Sequence, residues 1–90
     1  MKKIYKYVLK ATEEQVIEIP SINILSVESQ LDDIVVYALV DDNILIPNRY
    51  TFRVYGTGHD IKNDIDSFKF LGTVKMYNGS LMFHVFYKSA

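Results

Sequence analysis

Asn78-Gly79 stands between two runs of alternating apolar and polar residues, 69–77 and 80–87. A two-residue type I′ turn needs positive φ at both central positions, which Asn and Gly tolerate best, so this dipeptide predicts a tight β-hairpin. The turn also sets the register. Tyr77 is expected opposite Ser80, Met76 opposite Leu81, Val74 opposite Phe83, and Thr73 opposite His84. One hairpin face then carries Val74, Met76, Leu81, Phe83 and Val85 and reads as core. The other carries Leu71, Thr73, Lys75, Met82, His84 and Phe86.

The rest of the chain repeats this pattern of short strands and turns. Residues 3–9 alternate loosely, with Ile4 and Val8 on one side and Tyr5, Tyr7 and Leu9 on the other. A turn is expected at Ala11-Thr12-Glu13-Glu14. Residues 16–19 form a short strand that Pro20 ends, because proline cannot donate to a ladder. Residues 22–29 alternate again, placing Leu25 and Val27 on one face and Ile24 on the other. Leu31-Asp32-Asp33 turns the chain into Ile34-Val35-Val36-Tyr37-Ala38-Leu39-Val40. This most apolar run suits a central strand covered on both faces. The loop Ile44-Leu45-Ile46 is apolar, and such residues more often cover an end of the core than form a contact surface. Residues 49–55 put Phe52 and Val54 inward and Thr51, Arg53 and Tyr55 outward. Ile61, Ile65 and Phe68 have helical spacing over one short turn.

About six or seven strands follow, with turns every eight to twelve residues or so. The expected fold is all-β: a small antiparallel sandwich or partly closed barrel with at most one short helical turn. The chain of 90 residues is long enough for one such domain. So small a domain gains stability by self-association, and a homo-oligomer is expected.

Charge and composition exclude several functions. Ten basic and eleven acidic residues give a net charge of −1, which argues against binding a nucleic-acid polymer. With no cysteine, disulfides and thiolate metal sites are excluded. No stretch approaches the ~18 apolar residues of a membrane span, and the N-terminal segment lacks a signal-peptide core. A cytoplasmic protein without membrane contact is expected.

Gly56-Thr57-Gly58-His59 follows a strand and is the one candidate site. It lacks the third glycine of a dinucleotide fingerprint and the Gly-Lys-Ser/Thr of a phosphate-binding loop. Two readings remain. In one, the glycines simply permit a tight turn, and Arg53 pairs with Asp60 or Asp64 to lock it. In the other, the backbone N–H groups of Thr57 and Gly58 form a small anion nest. Arg53, the Thr57 hydroxyl, His59 and His84 would supply side-chain donors, and Tyr55 a stacking surface. His59 and His84 would need a third ligand such as Asp60 or Asp64 to hold a metal, and no ligand spacing indicates one. Neither histidine has a partner set for acid–base catalysis, so no catalytic residue, cofactor or enzymatic activity is expected.

Three strings carry a resemblance: Arg49-Tyr-Thr-Phe-Arg-Val-Tyr-Gly-Thr-Gly-His59, Phe70-Leu-Gly-Thr73 and Leu81-Met-Phe-His-Val-Phe86. Together with Ile24-Leu-Ser-Val27 and Tyr37-Ala-Leu-Val-Asp41, they make the chain resemble a family of short phage and prophage proteins classed as a domain of unknown function. Pro20-Ser-Ile-Asn23 and the apolar 44–46 loop depart from the family pattern. The resemblance implies a phage origin, hence an infected bacterial cytoplasm, and no established activity. The expected role is a non-enzymatic accessory protein binding a host protein or a small anionic nucleotide, for instance against host defence. The alternative is a virion structural or assembly protein acting by self-association.

Overall fold

The computed structural model describes residues 1–11 and 14–89. Within them the strands are β1 (Lys2–Leu9), β2 (Glu14–Ile19), β3 (Ser21–Gln30), β4 (Asp33–Asp41), β5 (Asn48–Gly56), β6 (Lys69–Met76) and β7 (Leu81–Ser89). They form two antiparallel sheets, ordered β1-β4-β3 and β2-β5-β7-β6. The expected all-β architecture is present. Extents of 41 × 31 × 15 Å fit two layers stacked about 10 Å apart. Thr12 and Glu13, in the turn expected before β2, lie outside the described residues.

The core lies between the sheets. Its largest fully buried side chains include Phe52, Ile19, Ile34, Val36 and Val85. The apolar run of β4 is the middle strand of the three-stranded sheet, as its composition predicts, but it is not covered on both faces as expected, since Tyr37 and Leu39 on its outward face are only half-buried. Phe52 stacks on Tyr87 with ring centroids 6.1 Å apart, tying β5 to β7. Along one side of the sandwich the edge strands β3 and β6 approach each other. Gly72 permits this, because a Cβ there would lie 2.9 Å from Val27 Cγ1. On the other side, the Gln15 side chain binds the backbone of Lys10. It accepts from Lys10 N at 2.9 Å and donates to Lys10 O at 2.7 Å.

The hairpin register between β6 and β7 matches the expectation from Met76–Leu81 to Thr73–His84. The ladder stops there, however, and Tyr77 is not paired with Ser80. Tyr77 joins Asn78 and Gly79 at positive φ, and Ser80 N donates to Tyr77 O at 3.2 Å. Tyr77 N instead donates to Asp32 Oδ1 at 3.2 Å, linking two turns at this end of the sandwich. A second two-residue turn joins β3 to β4, where Leu31 and Asp32 both have positive φ.

Two face assignments are corrected. In β3, irregularities between Ser21 and Asn23 and between Ile24 and Ser26 break the alternation. Ile24 and Val27 are both buried while Leu25 is exposed. Each extra residue shifts the following side chains to the other face. In β6 an irregularity between Phe70 and Gly72 has the same effect, and Leu71 packs against the core rather than on the mixed face. The 44–46 loop does not cover the core either. Leu45 and Ile46 are 92% and 83% exposed.

The segment after β5 crosses back to reach β6 beyond β7. Its helical spacing yields one 3₁₀ turn, Asn63–Ser67. Phe68 is buried at its end. This crossing covers the outer face of β5, so Thr51, Arg53 and Tyr55 are buried as well as Phe52 and Val54.

Candidate functional site

Residues 56–59 close a tight turn in which His59 N donates to Gly56 O at 3.1 Å. Gly58 sits third at φ +86°, as a type II turn requires. Gly56 serves a different purpose. Its N–H donates to His59 Nδ1 at 3.2 Å, and the ring lies so close that a Cβ on Gly56 would be 2.8 Å from His59 Cε1. Thr57 N donates to Met82 O at 3.4 Å. The N–H groups of Gly56 and His59 are therefore used within the turn and that of Thr57 on β7, leaving Gly58 as the remaining nest donor.

His84 anchors the turn to the sheet. Its Nε2 shares a hydrogen bond with the Thr57 hydroxyl and its Nδ1 shares one with the Thr73 hydroxyl, both 2.8 Å. A hydroxyl can donate or accept, so the neutral ring is satisfied in either tautomer. The register explains the arrangement, since Thr73 on β6 lies opposite His84 on β7, which in turn lies opposite Tyr55 on β5.

Arg53 points elsewhere. Its Nη1 and Nη2 donate to Asp64 Oδ1 and Oδ2 at 2.7 and 2.9 Å, and its Nε donates to Glu14 Oε1 at 2.9 Å. Of the two readings of Arg53, the pairing with Asp64 is the one present, and its donors are not turned toward the 56–59 turn. The guanidinium also lies 4.2 Å from the centroid of the Phe68 ring, with Lys88 Nζ 4.7 Å from the same ring. Hydrogen bonds from Arg53 hold the Asp64 carboxyl below the usual carboxylate range. Those bonds in turn raise the Arg53 pKa further. Tyr55 packs edge-on against Phe86 with centroids 6.1 Å apart. Its hydroxyl is buried with no hydrogen-bond partner among the described residues.

Three clefts open at this end of the sandwich. One of about 500 Å³ is lined by Tyr55, Gly56, His59, Asp60, Ile61 and Phe83 among others. A second of about 340 Å³ runs between the 56–59 turn and the start of β7, along Ser80, Leu81, Met82 and Phe83. A third of about 380 Å³ reaches down to Leu9, Ile34 and Met76, with Asp32, Tyr77 and Leu81 around it. Phe83 borders all three, and Gly56 and His59 separate the first two.

The chain matches a domain of unknown function, DUF7352, over residues 1–90. It belongs to that family. No curated protein and no solved structure matches it.

Of the family member's sequence-derived site residues, Tyr55, Gly56, Thr57, Gly58, His59 and His84 come together around the turn, whereas Arg53 faces Asp64 and Glu14. Sequence reasoning overlooked Phe83 as the wall between clefts, because its hairpin parity marked it only as core. Thr73 was legible as the partner of His84, since the Asn78-Gly79 register puts them opposite each other. Glu14 lies opposite Arg53 in the β2–β5 ladder, a pairing that no local pattern announces. No group of three or more His, Cys, Asp or Glu side chains among the described residues is arranged to hold a metal. No described helix is long and apolar enough to cross a membrane.

Proposed function

We propose that this protein is a non-enzymatic accessory protein of phage origin that binds a host protein through the cleft-bearing end of the sandwich. The observation that carries the reading is the convergence of three clefts on Phe83, rimmed by the exposed side chains of Ile61, Tyr77 and Leu81, with exposed Leu31 next in the chain to Asp32 of the third cleft. Turns at the end of a rigid sandwich commonly carry binding residues. Apolar and aromatic rim residues suit a protein surface better than an anion. A small anionic nucleotide is the weaker choice, since the turn consumes most of its own N–H donors and two carboxylates neutralise Arg53. Interference with host defence would fit such a binder.

The test is capture from host lysate with the wild type and with a Leu31→Ser/Tyr77→Ser/Leu81→Ser variant of unchanged fold. A defined host protein held by the wild type and lost by the variant supports the reading. Retention by the variant rejects this surface. Calorimetric heat on titrating cyclic nucleotides would favour the anionic ligand instead.

A second reading, a virion assembly protein acting by self-association, draws on Leu45 and Ile46, which stand exposed at the opposite end. Co-purification with mature phage particles would favour it.

A further inference from the structure

Asn78 places a side-chain carboxamide beside the backbone nitrogen of Gly79, which no side chain shields. Asparagine is a thermolabile residue, and this pairing gives it an intramolecular reaction. The Gly79 nitrogen loses its proton and attacks Asn78 Cγ. A new N–C bond forms, the Cγ–Nδ2 bond breaks, and ammonia leaves. Water then opens the resulting succinimide ring at either carbonyl. One opening gives aspartate. The other gives isoaspartate, whose main chain runs on through Cβ and Cγ. No oxidant, reductant or cofactor takes part.

The fold decides whether the ring can close. Closure needs the Gly79 nitrogen on the same side of the Asn78 Cα–C bond as Cβ. In the turn Asn78 holds φ 57° and ψ 31°. For an L-residue that ψ turns the Gly79 nitrogen almost opposite Cβ, where Cγ cannot reach it. Hydrogen bonds lock the turn there. Ser80 N and Ser80 Oγ both donate to Tyr77 O, at 3.2 and 2.9 Å, and Tyr77 N donates to Asp32 Oδ1 at 3.2 Å. Swinging ψ through the near half-turn that closure requires would pull Ser80 off Tyr77. Residues 77–80 are all exposed, so water reaches them freely and the barrier is conformational.

We infer that Asn78 is a modification site gated by the fold: it stays intact while the hairpin is closed and converts when the hairpin opens. The product does not close as the parent did. The isoaspartyl chain is one carbon longer inside a loop whose length fixes the β6–β7 register. Val74, Met76 and Val85 hold the two strands in the core, so the misfit falls on the turn and on its bond to Asp32. The aspartyl product keeps the main chain but brings a new negative charge to the turn that Asp32 already touches. Tyr77 and Leu81 wall the third cleft. A chain converted after opening thus loses that wall for good, whatever the cleft binds.

The full chain held at neutral pH, native and in urea above its unfolding midpoint, tests this. Peptide mapping of aspartate and isoaspartate at position 78 reads the rate. It should be at least about tenfold lower in the native chain, because only the open fraction reacts. Asp32→Gly suits the φ of 63° there and removes the acceptor for Tyr77 N, so it should speed native conversion several-fold. Asn78→Gly should form no acidic product in urea over the same period. The acidic product of the wild type, isolated by ion exchange, should melt below the parent. Equal rates with and without urea would overturn the proposal. So would an Asp32→Gly chain no faster than the wild type, an Asn78→Gly chain that turns acidic at the wild-type rate, or a product that melts like the parent.

Discussion

Arg53 grips Asp64 with two parallel hydrogen bonds, Nη1 to Oδ1 at 2.7 Å and Nη2 to Oδ2 at 2.9 Å. The pair joins the second strand of the four-stranded sheet to the 3₁₀ turn of the crossing segment. It also explains how a cation can lie buried on the outer face of β5: Asp64 and Glu14 match its donors, and the Phe68 ring caps its plane. A fork-to-fork pair of this kind is among the stronger hydrogen-bonded arrangements, and it fixes the geometry of the segment it holds.

Asp64→Asn should therefore lower the melting temperature at neutral pH, and by more than Glu14→Gln, because the asparagine NH2 must face one of the two Arg53 donors, whereas Gln can keep the single acceptor oxygen that Glu14 supplies. The pH dependence has a definite sign. Arg53 holds the folded carboxyl below its unfolded value. The stabilisation is then complete above about pH 4 and fades as pH falls through the lower folded value. The melting curves of the wild type and Asp64→Asn should converge as pH falls from about 4 through the folded value. A gap that stays constant over that window would mean the ion pair is not its source.

Gly72→Ala tests the approach of β3 and β6. The added methyl would meet Val27 Cγ1 at 2.9 Å, and both strands are held by their own ladders. Overpacking of this kind costs about 1–3 kcal/mol. Combining it with Val27→Ala should give a protein more stable than the sum of the two single losses implies, because the second change vacates the contested space. Strict additivity in urea unfolding would show that the strands separate freely there.

The strands were legible wherever one residue followed another on alternating faces. The β6–β7 register could be read from Asn78-Gly79, and the central position of β4 from its unbroken apolar run. Period-2 reasoning failed where the chain inserts an extra residue. Nothing in Ile22-Asn23-Ile24-Leu25 or Phe70-Leu71-Gly72 marks the irregularity except Gly72, whose small size reflects Val27 on a strand far away in sequence. The candidate turn was legible as a turn, because glycine at positive φ is a local property. The direction of Arg53 was open, since its partners Glu14 and Asp64 come from other elements. The cleft wall at Phe83 depends on how the sheets end, which no single strand encodes.

Gly79→Val separates conformational from steric strain. Gly79 has φ +87°, and a Cβ added there would meet no other atom within 4 Å. Any loss arises from the backbone, and roughly 1 kcal/mol or more is expected for a β-branched residue at that φ. The melting temperature should fall by about 4–8 °C per kcal/mol. Unlike Gly72→Ala, no second-site truncation should recover it.

Leu31 offers the opposite case. It holds φ +50° with its side chain 94% exposed, so it has strain to relieve and almost no packing to lose. Asparagine tolerates the left-handed region better than leucine does. Leu31→Asn should raise stability by about 0.5–1 kcal/mol, measured as an increased midpoint of urea unfolding at unchanged slope. A gain would mean that the native leucine is kept at a cost to folding. Strained residues of this kind cluster at functional sites. The same variant should then hold the captured host protein less well, because Leu31 adjoins the proposed rim. Higher stability with undiminished capture would remove Leu31 from that surface. A fall in stability would show that the leucine packs in solution, against another chain or its own.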